Sequence, residues 1–520
     1  MTTPTATLDA GLPDGRLLIA GDWRSGTGAE LESINPFDGS LNRTFAGASP
    51  DDVDEAVTRG REAMDEPAWR DLLPHERARY LHRVADHIED RVDRIAAIQT
   101  ADTGKTLTET AALARSAAGT FRYFAAVLEV AEDTLTPRRG DFLTMSVHEP
   151  LGVIAAITPW NSPIASDAQK VAPALAAGNA VVLKPASWAP LVALELAAIV
   201  DAAGLPAGLF SVLPGSGRET GEAIIEHPLV RRISFTGGTT TGRHIADVAA
   251  RRLIPTSLEL GGKSPTVVFA DADVDQAIAG VLFGIFSSQG QSCIAGSRLF
   301  VETSMHDEFV ERLAAATDDL VLGDPTVPGV QLGPLVHFDH RLDVERYIAA
   351  GVDEGGRVVS GGARPTGPPF DAGAFLSPTI LTGVDNASAV CQEEIFGPVL
   401  VTLPFDDEDD LVAQANDSVY GLAAGIWTAD YRRAWRVARR IDAGTVWINT
   451  YKQFSISTPF GGTKDSGWGR EKGVAGIRQY QHQKSLYWGM DPSPHAWAAP
   501  HRGDGDGPSR PEGTREGRTS

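Results

Sequence analysis

Within residues 71–100 the apolar positions Leu81, Val84, Ala85, Ile88, Val92 and Ile95 recur at steps of three and four, which predicts an amphipathic helix. From residue 151 the texture changes. Short apolar runs at 152–158, 180–184, 209–213, 232–236 and 257–260 predict strands, and 163–177, 188–203, 218–226 and 240–252 predict the helices between them. Repeated strand–helix–strand units imply a parallel sheet covered on both faces, with ligands expected at the carboxyl ends of the strands. A second alternating region, from about residue 266 to 450, predicts a second α/β domain. Residues 129–150 and Lys484–Trp488 alternate apolar and polar outside both regions, and predict two strands paired as a small ribbon. From Ser493 onward Gly, Pro, Arg and Ser dominate without periodicity, so 493–520 is expected to be a disordered tail.

Composition narrows the classes. The 520 residues are 42% hydrophobic and 22% charged, an ordinary soluble balance for a chain of several domains. A formal charge of -22 speaks against a nucleic-acid binder, which needs a basic footprint. The acidity is dispersed except at Asp406–Asp410, which predicts the start of a solvated helix, where carboxylates favour the positive N-terminus. No run approaches the roughly 20 apolar residues of a membrane span, so no membrane partner is expected. Residues 1–16 are polar and show no secretory signal, and two cysteines cannot build a disulfide framework. A cytoplasmic, reducing setting is therefore expected.

One of those cysteines, Cys293, stands in Ser288-Gln289-Gly290-Gln291-Ser292-Cys293-Ile294-Ala295-Gly296, and Leu258-Glu259-Leu260-Gly261-Gly262-Lys263 precedes it. A lone thiol is in most folds a small buried hydrophobe. Small flexible neighbours suit a nucleophile, and a carboxylate on the turn after an apolar stretch suits its base. Upstream, Thr158-Pro159-Trp160-Asn161-Ser162-Pro163 ends the first predicted strand, and its prolines fix where Asn161 points. An amide held in this way either caps a helix or donates to an oxyanion. Lys184, in Leu183-Lys184-Pro185-Ala186-Ser187, emerges where a buried strand ends and can donate to ribose hydroxyls. Phe235-Thr236-Gly237-Gly238-Thr239 follows another strand and opens a helix, a setting that admits a pyrophosphate, although it lacks the G-x-G-x-x-G spacing.

Together these blocks resemble the active centre of the aldehyde dehydrogenase superfamily, in its hydrolytic, NAD(P)-dependent branch. The resemblance runs from the helical N-terminal region to about Tyr487 and includes Glu393-Glu394-Ile395-Phe396-Gly397-Pro398-Val399 and Pro459-Phe460-Gly461-Gly462-Thr463-Lys464-Asp465-Ser466-Gly467-Trp468-Gly469-Arg470-Glu471. It implies an α/β fold of two Rossmann-like parallel-sheet domains plus a β-ribbon that serves oligomerisation. The expected layout is 1–128 with 151–261 for NAD(P) binding, 262–470 for catalysis, and 129–150 with 476–492 for the ribbon. It also implies Cys293 as nucleophile, Glu259 as base, Asn161 as oxyanion donor, and Lys170 with Glu471 as a proton path. Lys170 reads equally as a solvated helix charge. For the cofactor it implies Thr158, Trp160, Lys184, Ser187, Gly217, Gly221, Phe235, Gly237, Gly238, Leu260, Gly261, Glu394 and Phe396. NAD-preferring members often carry Glu where this chain has Ser187, so the element that repels a 2′-phosphate is missing and NADP use stays open.

The substrate pocket is expected from Ser162, Ser166, Gln169, Ser292, Ile294, Lys452, Phe454 and Phe460. The polar residues among these admit a polar or anionic aldehyde, while Lys452 also reads as a solvated charge. No metal is expected, and the partners expected are a small aldehyde and further copies of the chain as a homodimer or homotetramer. Competing readings are a CoA-acylating semialdehyde dehydrogenase, a cysteine thioesterase and an inactive scaffold. Members of the first kind typically lack the Glu found at 259, and no Cys–His pair has a recognisable local setting for the second. The third is opposed by intact Cys293, Glu259 and Asn161.

Overall fold

The structure is a computed structural model that describes residues 11–492 and Trp497. The tail expected from Ser493 thus lies, Trp497 apart, outside the described residues. The described residues form two compact units: Asp133–Val147 with those from Gln483 onward, and the remaining ones up to His482.

In the larger unit one sheet of eight strands runs Asp22–Arg24, Leu17–Ile19, Phe210–Val212, Ala180–Lys184, Val153–Ile157, Val230–Thr236, Thr256–Glu259, Gly467–Trp468. The five central strands are parallel. Numbered along the chain, they stand in the order three-two-one-four-five of a doubly wound sheet, with its switch point between Val153–Ile157 and Val230–Thr236. A crevice beyond the carboxyl ends of those two strands is where such a sheet takes a dinucleotide. Sequence reading recovers these central strands because they are buried on both faces and read as continuous apolar runs. It does not recover the antiparallel edges. Gly467–Trp468, assigned by sequence to the second domain, pairs instead with Leu258–Glu259 at the rim of the first sheet.

The expected helices appear at Pro163–Ala176, Leu191–Ala202 and Thr239–Arg252, and 218–226 is a π-helical turn, Gly217–Gly221, followed by Glu222–Glu226. The single helix expected over 71–100 is two, Pro74–Glu89 and Val92–Thr103, because Arg91 leaves helical geometry at φ -119, ψ 18. The apolar spacing survives the break because Ile88 and Ile95, on either side of it, enter the same buried cluster.

A second sheet of seven strands runs Arg357–Ser360, Thr379–Thr382, Val399–Phe405, Arg298–Glu302, Pro265–Val268, Ala423–Trp427, Thr445–Ile448, parallel except for its first strand. The acidic run opens the helix Glu408–Asn416, where Asp407 caps the end by accepting from the N–H of Asp409 and of Asp410 at 2.8 and 2.9 Å. The ribbon has three strands rather than two, Gln481–Gly489, Phe142–Pro150 and Thr134–Leu135. Its expected segments begin in helix: Leu107–Val130 extends into the first and Gly473–Arg478 occupies the start of the second.

Candidate active site

Asn161 follows the strand Val153–Ile157 and precedes the proline that begins Pro163–Ala176. Its side chain is buried, and Nδ2 donates to the Gln291 carbonyl at 3.0 Å. A primary amide has two N–H groups, so this bond fixes its orientation and leaves one donor free. Two residues on from Gln291 stands Cys293, half-buried and reduced. The loop before it holds Ser288, Gln289 and Gly290 in left-handed backbone, at φ 60, 56 and 69. Such strain at non-glycine positions persists only where neighbours impose it. Here the Ser288 N–H donates to Glu109 Oε1 at 2.6 Å, Gln289 Nε2 donates to the Gly104 carbonyl at 3.1 Å, and Gln291 Oε1 accepts from the Val336 N–H at 2.9 Å.

Glu259 ends the strand Thr256–Glu259, and Gly262 brings the following turn against the thiol loop. A Cβ on Gly262 would fall 2.2 Å from the Cys293 carbonyl oxygen, an overlap that only glycine avoids. The Glu259 carboxylate is buried, and neither oxygen has a hydrogen-bond partner among the described residues. Burial raises its pKa well above the usual range and the neighbouring Glu471 adds to this, while Lys170, Arg470 and Lys472 pull the other way. Glu471 pairs with Lys170, and Lys170 Nζ also donates to Ser234 Oγ at 3.2 Å. Ser257 Oγ and the Tyr480 hydroxyl converge on the same serine at 3.0 and 3.2 Å. Lys170 is fully buried, which removes the solvated-charge reading.

The residues expected at a cofactor gather around the switch point. Gly238 caps Thr239–Arg252 without a side chain, and a Cβ built on Gly238 or on Gly217 meets nothing within 4 Å. Uncapped N–H groups facing open space fit a pyrophosphate. Phe235 and Leu260 pack beneath Gly237 and Gly242. Lys184 Nζ donates to the Pro185 carbonyl at 3.1 Å, and burial lowers its pKa to about 8. Gly221 lies against the Lys184 stem. Ser187 Oγ is already engaged, donating to the Gly215 carbonyl at 3.1 Å. Glu394 Oε1 accepts from the Gly262 N–H at 3.0 Å, its Oε2 lies against Gly261, and desolvation raises its pKa to about 7. Phe396, at φ 56, meets Trp160 edge-on with centroids 5.1 Å apart. Thr158 is buried, its N–H donating to the Lys184 carbonyl at 3.1 Å. The residues present therefore fit a dinucleotide.

Sequence reasoning missed two histidines here. His337 stacks on Trp188 at 4.9 Å, and His340 Nε2 lies 2.8 Å from the Phe396 carbonyl while its ring packs edge-on against Trp160. No motif announces them, because their meaning comes only from the aromatic faces they meet.

On the other side of the thiol, Cys293 and Phe460 pack against Ile294, Trp447 and Tyr451, and Phe454 meets Phe460 edge-on at 5.4 Å. Ser292 is half-buried beside the thiol, and Ser162 and Ser166 are half-buried at the start of Pro163–Ala176. Gln169 is the exception among the expected pocket residues: it lines a small hollow with Ser257, Glu471 and Tyr480, on the Glu471 side. Lys452 Nζ donates to Ser287 Oγ at 2.8 Å. Lys105 and Lys472, also missed by sequence, are buried in the same quarter. Burial together with Glu394 and Glu259 pushes the Cys293 thiol up to about 12, with Lys452 partly offsetting them. In this state the sulfur holds its proton at neutral pH.

The aldehyde dehydrogenase family model matches residues 23–486. A protein from Burkholderia cenocepacia assigned as an aldehyde dehydrogenase is 38% identical, with a TM-score of 0.90 over 93% of this chain and 99% of its own. Betaine aldehyde dehydrogenase from Staphylococcus aureus, solved in complex with NAD+, is 34% identical, with a TM-score of 0.92 over 94% of this chain and 97% of its own. A point mutant of an aldehyde dehydrogenase from Bacillus cereus is 36% identical, with a TM-score of 0.91 over 94% and 99%. A match over residues 23–486, with relatives 34–38% identical over nearly the whole chain, places the chain in the aldehyde dehydrogenase family.

Proposed function

We propose that this protein oxidises an aldehyde to the carboxylic acid with NAD+, through a thioester on Cys293 that water hydrolyses. The observation that carries the reading is the Asn161–Gln291 hydrogen bond, which ties the oxyanion donor to the thiol loop. Cys293 Sγ attacks the carbonyl carbon as its proton passes to Glu259, directly or through water. The oxygen that gains charge meets the free Nδ2–H of Asn161 and the Cys293 N–H. When bound, the nicotinamide supplies the acceptor for the hydride that leaves the tetrahedral carbon. Glu259 then takes a proton from the water that attacks the thioester, and the acid departs as the thiolate is restored. In sum, aldehyde, water and NAD+ give carboxylate, NADH and two protons; the thiol's proton returns to the sulfur as the cycle closes, so both released protons derive from the water. The Lys170–Glu471 pair beside Glu259 gives those protons a way off the base.

The cofactor is held, on this reading, by Lys184 at the adenosine ribose, the Gly238 helix end at the pyrophosphate and Glu394 at the nicotinamide ribose. The first sheet is then the cofactor domain and the second the catalytic one. A cytoplasmic location accords with two reduced cysteines. Homo-oligomerisation is supported by the strand Gln481–Gly489, exposed from His482 onward at the edge of its sheet and carrying Leu486, Tyr487 and Trp488. Among the described residues no helix is long and apolar enough to cross a membrane.

Cys293→Ala tests the central claim. Aldehyde-dependent formation of reduced cofactor is expected to vanish while calorimetric NAD+ binding persists. Retention of more than about a hundredth of the turnover would exclude covalent catalysis.

A further inference from the structure

Three ammonium groups that form no ion pair with a carboxylate among the described residues stand around the apolar approach to Cys293. Lys472 Nζ lies 3.7 Å from the Phe454 ring centroid and 5.3 Å from that of Phe460, and the residue is 6% exposed. Its backbone is left-handed at φ 61, as is that of Lys452 at φ 52. Lys452 Nζ reaches only Ser287, at 2.8 Å from Oγ and 3.4 Å from the carbonyl oxygen, and lies 5.9 Å from the Phe283 ring. Lys105 Nζ, on a residue 1% exposed, has no hydrogen-bond partner among the described residues and repels Lys452. Phe460 belongs to the cluster that packs Cys293, so the cations and the sulfur share one lining.

Burying a cation without a partner is costly, and strained backbone adds to the cost. A neutral aldehyde filling this approach would displace water from Lys472 and Lys452 and return nothing. Among the nearby carboxylates Glu259 faces Lys472, but burial favours its neutral form and it is the base of the reaction, and the others are engaged. Glu109 is taken up by Ser288 and Thr106 of its own capping box, Glu394 is held by the Gly262 N–H, and Glu471 pairs with Lys170.

We propose that the substrates are aldehydes bearing a second, anionic group along the chain, and that Lys472 and Lys452 pair with that anion while the aldehyde reaches Cys293. This rests on the reading of the protein as an aldehyde dehydrogenase using NAD+. The two lysines are specificity-determining residues and take no part in the bond changes. Phe454 and Phe460 cover the carbon chain between the two ends.

The test compares matched pairs with NAD+: succinic semialdehyde against butanal, adipic semialdehyde against hexanal, and glyceraldehyde 3-phosphate against glyceraldehyde. The carboxylate pairs and the phosphate pair distinguish the two sources of anion. In at least one pair the anionic aldehyde is expected to have a kcat/KM about tenfold or more above its neutral partner, as a charged hydrogen bond supplies. Lys472→Met and Lys452→Met should each shrink that ratio about tenfold, mainly through KM, and Lys472→Arg should restore most of it. Should Lys472→Met fail to fold, half-buried Lys452 gives the same readout.

The preference should also fade as pH rises through 7 and 8, where burial places the loss of charge of Lys452 and Lys472. The groups facing Lys452 are Lys105, Glu109 and Cys293, and those facing Lys472 are Glu471, Glu259 and Cys293. Equal or lower efficiency for the anionic member of every pair, or a ratio indifferent to both lysines, overturns the proposal. If none of the six aldehydes yields reduced cofactor, the oxidation reading itself fails, and this one with it.

Discussion

At Cys293 the fold sets two requirements against each other. A sulfur shielded enough to protect a thioester from stray nucleophiles is also one whose thiolate is disfavoured, and burial with Glu394 and Glu259 pushes it to about 12. Glu259 resolves this only if it can take protons; Lys170, Arg470 and Lys472 favour its charged form, while burial and Glu471 outweigh them and raise its pKa. Replacing Glu259 by Gln keeps the shape but removes the proton acceptor. We expect a rapid single-turnover burst of reduced cofactor followed by a steady state slower by about a hundredfold or more, since deacylation loses its general base. Equal losses in burst and steady state, measured by stopped flow, would assign Glu259 to thiol activation instead. At this scale Cys293, Glu259 and Asn161 are legible in sequence because each sits in a block whose neighbours are themselves required. Gly262, for instance, cannot accept a side chain against the Cys293 carbonyl. Lys105 and Lys472 are not legible in that way. What sets them apart is burial with no ion pair among the described residues, and that exists only in three dimensions.

The elements matter through where they end. Val153–Ile157, Val230–Thr236 and Thr256–Glu259 deliver Asn161, Gly238 and Glu259 to one edge of the sheet, because parallel strands place their carboxyl ends side by side. Their apolar runs made them readable. The flanking pieces were not, since Gly467–Trp468 and Leu17–Ile19 are too short to carry a period and exist as strands only through their partners. The loop after Ala180–Lys184 shows how an element end tunes chemistry. Ser187 is bound to the Gly215 carbonyl, and a neutral hydroxyl there sets no charge against a 2′-phosphate. Measurable use of NADP+ is expected, with NAD+ preferred. Ser187→Glu should lower the NADP+/NAD+ ratio of kcat/KM about tenfold through like-charge repulsion at short range. An unchanged ratio would place the adenosine ribose elsewhere.

For the whole molecule the question is what covers the ribbon. A three-stranded sheet stands alone only with its apolar face packed, and Gln481–Gly489 leaves Tyr487 73% and Trp488 64% exposed at its edge. Extending a neighbouring copy's sheet would pair that edge and bury those rings. The charge of -22 keeps copies apart everywhere except where apolar surface outweighs it, which favours one specific contact over general association. Sequence reading foresaw the strands here but not their number, since the two-residue Thr134–Leu135 acquires its identity only by pairing with Met145 and Ser146. The boundary for a clean test lies just past Tyr480, which is buried and whose carbonyl accepts from Asn179 Nδ2 at 2.9 Å. Removing the chain from Gln483 therefore spares the core yet deletes most of the edge strand. Such a truncation should run at the monomer mass in light scattering and melt several degrees lower, while removing only the residues from Ser493 should change neither. Full-length protein at the monomer mass at micromolar concentration, or an oligomer that survives loss of the edge strand, would show that the contact lies on another surface.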